Sequence, residues 1–244
     1  MPADFVIIVP ARGGSKRVKN KNMTPLLGKP LLHYTLELLH EADLHAWSYV
    51  STDDLMVAEA ARFFRMHVID RPADLASDLA STDAVLLHAL TLLATQGKHP
   101  TWVITMPPTC PLRTMATLRR FLAMLETVPP ACDSVMSVTE IAADFWRAGD
   151  GETVTRVFPS AARSQQKRRE DGDVLFEENG AFYASRVSSL REGFLKRIPA
   201  PILGTCVHRF TIDVAEAIDI NTLHDVMLAE TLLRHSSASD SPTS

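Results

Sequence analysis

Phe5-Val-Ile-Ile-Val9 is an unbroken apolar run, mostly β-branched, that opens directly onto a glycine- and lysine-rich segment reaching Asn22. A strand with no polar side must be covered on both faces, as in a parallel sheet with helices above and below it. The rest of the chain keeps to that plan. Leu32, Leu36 and Leu39 recur at helical spacing and predict a helix over 29–42. Strands are expected at 47–51 and 66–69, on either side of a helix at 55–65. A helix at 82–93 carries Ala84, Leu87 and Leu90 on one side. A strand at 102–106 then ends in the turn Pro107-Pro-Thr-Cys-Pro111, and is followed by a helix at 115–125 and a strand at 134–138. Alternating strand and helix implies right-handed βαβ units and a doubly wound, mostly parallel α/β sheet. A chain of 244 residues suffices for one such domain and a small appendage.

The regularity breaks over 143–178, which is polar, charged and weakly periodic. A stretch of that length inside a compact domain is usually functional or covered by a partner. Strands resume at 180–185 and 209–212, a last helix is expected at 223–233, and the serine-rich end from Ser236 reads as disordered. The net charge of -4 argues against non-specific binding to nucleic acid or anionic membrane. No apolar run approaches the roughly 20 residues that span a bilayer, and the run at 5–10 is too short for a signal-peptide core. Cys110, Cys132 and Cys206 are odd in number and far apart in sequence, so they suggest neither a disulfide framework nor a CxxC metal site. A reducing cytoplasm is the expected compartment.

The strongest chemical signal is Pro10-Ala-Arg-Gly-Gly-Ser-Lys-Arg-Val-Lys-Asn-Lys-Asn22. It follows a buried strand, at the carboxyl end where open α/β sheets bind ligands. Gly13 and Gly14 let backbone N–H groups converge on an anion. Arg12, Lys16, Arg17, Lys19 and Lys21 place five positive charges within ten residues, a composition suited to a triphosphate. Each charge-assisted hydrogen bond there is worth about 1.5–3 kcal/mol. Neither the Walker A pattern nor the dinucleotide fingerprint occurs in this segment, which argues against a P-loop NTPase and a Rossmann dehydrogenase.

Ala11-Arg-Gly-Gly-Ser-Lys16, Lys21-Asn22 and Leu27-Gly-Lys-Pro-Leu31 resemble the acylneuraminate cytidylyltransferase family, whose cousins are the CMP-Kdo synthetases. The resemblance continues in order through Ser51-Thr-Asp-Asp54, Arg71-Pro72, Leu75-Ala-Ser-Asp78, Pro108-Thr-Cys-Pro-Leu-Arg113, Glu178-Asn-Gly-Ala-Phe-Tyr183 and Ala217-Ile-Asp-Ile-Asn221. It implies a Rossmann-like fold of the nucleotide-diphospho-sugar transferase type with a small dimerisation extension. On this reading 1–233 is one nucleotidyltransferase domain, 143–178 a dimerisation and acceptor-site insertion, and 234–244 a disordered tail. The implied reaction is in-line attack of an acidic sugar's hydroxyl on the α-phosphorus of CTP, releasing pyrophosphate. Sialic acid or another nonulosonic acid is the implied acceptor.

The same resemblance assigns residues. Ala11, Arg12, Gly13, Gly14, Ser15, Lys16 and Lys21 would hold the CTP phosphates, with Lys16, Arg12 and Asp219 as the catalytic set. Asn22, Arg71, Ala80, Ser81 and Thr82 would address the cytidine. Thr109, Arg163, Gln165, Gln166, Asn179 and Gly180 would face the acceptor. Asp219 and Asn221 would hold Mg²⁺, with Asp213 in reserve; hard oxygen ligands suit that ion. Asn221 stands where relatives often carry a second aspartate, which weakens or removes one metal contact. Pro107 stands where the family commonly carries a glutamine that contacts the sugar acid, and proline offers neither a side-chain amide nor an N–H. That argues against the usual sialic acid. Arg71 has a plainer alternative as a surface arginine paired with Asp70 or Asp74. Asp225 reads as structural, because Thr222-Leu-His-Asp225 fits a capping box. Three other readings stay open: a cytidylyltransferase for Kdo or a phosphonate, a non-catalytic CTP-binding protein, and a uridylyl- or guanylyltransferase on the same fold. A homodimer is expected by analogy.

Overall fold

The computed structural model describes residues 4–14, 20–141, 145–157 and 174–239. Strand β1 is Phe5–Pro10, and a two-residue ribbon pairs β2, Pro25–Leu26, with β3, Lys29–Pro30. Helix α1 (Leu31–Glu41) leads to β4 (Ser48–Thr52), α2 (Leu55–Phe63) and β5 (His67–Asp70). Helix α3 (Thr82–Thr95), β6 (Trp102–Thr105) and α4 (Met115–Met124) follow, then β7 (Ser134–Ile141). A hairpin of β8 (Trp146–Ala148) and β9 (Val154–Arg156) precedes β10 (Leu175–Arg186), α5 (Val187–Leu195), β11 (Val207–Thr211) and α6 (Leu223–Ser239).

Seven strands form one sheet in the order β11-β7-β10-β6-β1-β4-β5. The pairs β5–β4, β4–β1, β1–β6 and β7–β11 are parallel, and β10 runs antiparallel between β6 and β7. Burial explains why β1 is central. Phe5, Ile7 and Val9 join a core with Leu32, Leu36 and Leu39 of α1, Ala61 of α2 and Phe121 of α4. Val6 and Ile8 face the other way, into a core with Leu86, Ala89 and Leu90 of α3 and Leu190 of α5. One apolar run thus feeds both faces, which is why no polar alternation shows in it. Fully burying such a side chain stabilises by about 1.5–3 kcal/mol. The chain steps from β1 to β4 and β5 on one side, then returns to β6 on the other. The switch point lies between β1 and β6, and their C-terminal loops open the crevice.

Some boundaries differ from the sequence reading. Strand β10 begins at Leu175, not Gly180, because Leu175–Glu178 pair with the extension of β7 at Val138–Ile141. Glu177 and Glu178 are exposed there, so no apolar alternation advertises the strand. Helix α5 is a short element that the periodicity did not reveal. Helix α6 continues past Leu233 to Ser239, through positions expected to be disordered. Leu233 packs against Leu26, Leu31 and Ile220, and Arg234 pairs with Glu230 one turn back, so the helix has reason to persist. Thr222 and Asp225 form the expected reciprocal cap: Asp225 N–H donates to Thr222 Oγ1 at 3.3 Å, and Thr222 N–H donates to Asp225 Oδ2 at 2.7 Å.

The cysteines also differ from expectation. Cys132 and Cys206 are distant in sequence, yet their sulfurs lie 2.9 Å apart. Pairing of β7 with β11 carries the two strand entries together, and spacing along the chain gave no sign of it.

Candidate active site

The first half of the site gathers at the C-terminal ends of β1, β4 and β5. Ala11 N–H donates to Ser51 O at 3.0 Å and holds the start of the loop against β4. Gly13 N–H donates to Asp53 Oδ1 at 2.8 Å. A Cβ on Gly13 would lie 3.2 Å from Asp54 Oδ2, so the loop runs too close to β4 for a side chain without adjustment. Gly14 has φ +64°, where a side chain is strained. Arg12 donates to Asp78 Oδ1 at 2.5 Å and to Ala76 O at 3.2 Å, which brings the segment before α3 against the loop. Asn22 is buried and donates through Nδ2 to Arg12 O at 2.8 Å.

Arg71 is buried as well. Its guanidinium donates to Ser51 O at 2.7 Å and Ser51 Oγ at 3.2 Å, not to Asp70 or Asp74, so the surface-pair alternative fails. Burial pushes its pKa down to about 10, against the pull of Asp53, and Arg12 lowers it further. Arg12, Asp53 and Arg71 therefore feel one another across a single crevice. Ser81 caps α3, its Oγ accepting from Ala84 N–H at 3.2 Å; Ala80 is half-buried beside it and Thr82 is exposed. Ser15 and Lys16 lie outside the described residues, as do Arg163, Gln165 and Gln166.

The second half surrounds a cavity of about 560 Å³ lined by Thr139, Glu178, Asn179, Gly180, Tyr183 and Asp219, among others. A bulge in β10 builds its floor. The β10–β7 register shifts between Glu178 and Tyr183, and Gly180 takes φ +74° there. The bulge frees backbone amides, and side chains take them up. Asn179 Oδ1 accepts from Ala181 N–H at 3.2 Å and Ser137 Oγ at 2.6 Å, while Ser137 Oγ accepts from Phe182 N–H at 2.8 Å. The Nδ2 of Asn179 is buried and has no partner among the described residues. Burial and a hydrogen bond to Glu178 push the Tyr183 phenol well above its ordinary pKa.

The turn after β6 ties this cavity to the segment before α6. Ile220 N–H donates to Thr109 O at 2.8 Å, and Cys110 Sγ lies 3.7 Å from Asn179 O. Burial pushes the Cys110 thiol up to about 12. Arg113 is buried and donates to Ala181 O at 2.7 Å, Pro107 O at 2.9 Å and Thr35 Oγ1 at 2.5 Å. Burial pushes its pKa down to about 10, opposed by Cys110 and Asp219. Pro107 thus contributes its carbonyl to the turn, held by Arg113.

Lys21 joins the halves. Its Nζ donates to Ile220 O at 2.8 Å and Asn221 Oδ1 at 3.2 Å, and Asn221 Nδ2 donates to Asp219 Oδ2 at 2.5 Å. The Asn221 oxygen is therefore engaged by an ammonium, and Asp219 supplies the carboxylate at this point. Asp213 Oδ1 accepts from Ala215 N–H at 2.8 Å within its own turn. One carboxylate fits an ion that keeps its waters and binds largely through substrate phosphates, as Mg²⁺ does. Among the described residues no group of three or more His, Cys, Asp or Glu could hold a metal by itself.

Asp53, Asp78, Arg113, Glu178 and Tyr183 carry no assigned role in the sequence motifs. Asp53 could have been found, since it ends Ser51-Thr-Asp at the same sheet edge as the glycine loop. Nothing in the sequence signals the burial of Arg113.

A pseudaminic acid cytidylyltransferase from Campylobacter jejuni is 27% identical over 235 residues, covering 95% of this chain and 97% of that protein. A CMP-N,N'-diacetyllegionaminic acid synthase from Legionella pneumophila is 26% identical over 233 residues, covering 94% and 96%. The fold is shared with a CMP:2-keto-3-deoxy-manno-octonic acid synthetase complexed with CTP, at a TM-score of 0.65 and 16% identity over 96% of this chain and 100% of that one. The cytidylyltransferase family model matches residues 6–199. The chain belongs to the cytidylyltransferase family and is a nucleotidyltransferase.

Proposed function

We propose that this enzyme transfers CMP from CTP to a nonulosonic acid of the pseudaminic or legionaminic kind, releasing pyrophosphate. The observation that carries the reading is the two-part cleft. A cationic, amide-bearing loop lies on one side of Lys21, and a polar cavity with an unused buried amide donor lies on the other. Arg12, the Gly13 amide and Lys16 grip the phosphates; Asn22, Arg71 and the segment from Ala80 to Thr82 face the cytidine. Asn179, Gly180 and Thr109 face the acceptor acid, and the family resemblance assigns Arg163 and Gln165 to it as well. Full-length similarity to enzymes named for pseudaminic and legionaminic acids supports the acceptor class.

The chemistry asked of the protein is positioning and charge control. Two anions must meet, and unit charges 4 Å apart repel by about 4 kcal/mol at an effective dielectric near 20. Arg12, Lys16 and Lys21 offset that repulsion. Mg²⁺, held by Asp219, would neutralise phosphoryl oxygens when bound. Asp219→Asn is expected to raise the Mg²⁺ concentration for half-maximal rate by roughly 10–100-fold; an unchanged titration contradicts the assignment. Asn221 sits beside that carboxylate and holds it through its amide.

A homodimer in the cytoplasm completes the reading. The β8–β9 hairpin projects the largely exposed Trp146 and Val154, which a second subunit would cover. Light scattering that returns a monomer at working concentration contradicts this. No helix among the described residues is long and apolar enough to cross a membrane. The acceptor is tested by pyrophosphate release with CTP and pseudaminic, legionaminic, neuraminic and Kdo acids in turn. Turnover is expected with one of the first two; a preference for Kdo or neuraminic acid contradicts the proposal.

A further inference from the structure

Cys132 and Cys206 are 74 positions apart in sequence, and their sulfurs are 2.9 Å apart in space. The contact is built into the fold. Cys132 lies just before β7 and Cys206 just before β11, which pair in parallel with Ser134 opposite Val207. Asp133 N–H donates to Cys206 O at 2.8 Å. The Asp133 carboxylate in turn accepts from the N–H groups of Thr205 at 2.8 Å and Cys206 at 3.1 Å. Gly204 has φ +69°, and a Cβ there would lie 2.4 Å from Asp133 Cβ, so only glycine lets the two segments approach this closely. The sulfurs are held from both sides, and bonding them needs about 0.9 Å of approach to reach the roughly 2.0 Å of a disulfide.

Access favours one order of reaction. Cys206 is half-buried, Cys132 is 8% exposed, and Cys110 is fully buried. Among the described residues strand β11 is the sheet's edge, paired with β7 alone, and the chain runs on from it to Asp219.

We propose that Cys132 and Cys206 are an oxidation site, where a peroxide converts two thiols into one disulfide that clips edge strand β11 to β7. The Cys206 sulfur attacks one peroxide oxygen; the O–O bond breaks, water leaves and Cys206 becomes a sulfenic acid. The Cys132 sulfur then attacks the Cys206 sulfur, the S–O bond breaks and a second water leaves. Two electrons pass from the thiols to one peroxide, and two waters account for all its oxygen and the thiol hydrogens. Thiols of a reducing compartment stay open, and the clip closes when peroxide rises. Because the link closes a long loop, it raises Tm by roughly 5–10 °C.

The test treats the full folded chain with hydrogen peroxide, then denatures it, alkylates free thiols and measures intact mass and Tm. Three alkylated thiols are expected before oxidation and one, Cys110, afterwards. A Cys132–Cys206 peptide, a higher Tm and reversal of both by dithiothreitol are expected as well. Cys206→Ser should lose the link and the Tm gain together. Three alkylatable thiols after peroxide, a sulfinic Cys206 beside a free Cys132, links only between chains, or a link without a rise in Tm would each overturn the proposal. None of these readouts depends on nucleotide binding, so the cytidylyl-transfer reading stands or falls separately.

Discussion

Arg12→Ala is expected to lower kcat/KM for CTP by roughly 10²–10³-fold, the loss found when one preorganised donor to a developing charge is removed. Stability should barely move. The ion pair of Arg12 with Asp78 joins side chains 30% and 34% exposed, and such pairs contribute about 0–1 kcal/mol. Arg12→Lys should recover part of the activity, because it keeps the charge and loses the planar fork. Steady-state kinetics beside a thermal melt separates the two effects. Normal kcat/KM in a folded Arg12→Ala protein contradicts a phosphate role, and a large fall in Tm would make the residue structural.

Arg113→Ala should do the opposite, with stability carrying the largest effect. Its guanidinium bonds to two carbonyls and a hydroxyl inside the core, linking α1, the turn after β6 and the β10 bulge. Removing it leaves buried acceptors unpaired, at about 1–3 kcal/mol each, and opens a cavity as well. A loss of about 3–5 kcal/mol is expected, and at 2–4 °C per kcal/mol that lowers Tm by roughly 6–20 °C. Thermal or urea unfolding checks it. A Tm within about 2 °C of wild type would mean that the turn and the bulge hold without the guanidinium.

The fold was legible wherever burial is two-sided. Phe5–Val9 has to lie in the middle of a covered sheet, and the helices over Leu32–Leu39 and Ala84–Leu90 follow from spacing alone. The start of β10 was not legible, because exposed Glu177 and Glu178 hide it, and neither was the hairpin inside a polar stretch. At the site, the glycines and charges of Pro10–Asn22 point to an anion cradle, and the structure puts Arg12 and the Gly13 amide beside the ends of β4 and β5. Arg71 was identified through resemblance, and the structure explains its position: it is buried against Ser51, where a surface ion pair was the alternative. Asn179 shows the limit of sequence. Its oxygen is taken by Ser137, distant in the chain, and Ala181, two residues on, while its buried Nδ2 has no partner among the described residues. The meeting of Cys132 with Cys206 is likewise a product of strand order.

The Gly13 amide donates to the carboxylate of Asp53. CTP phosphate and that carboxylate compete for one donor, so the nucleotide should displace Asp53. A crystal structure with CTP and magnesium reads this directly. Phosphate oxygens are expected on the Gly13 N–H and the Arg12 guanidinium, with Asp53 turned away and the metal on Asp219. A nucleotide bound elsewhere, with the Gly13–Asp53 bond intact, would contradict it.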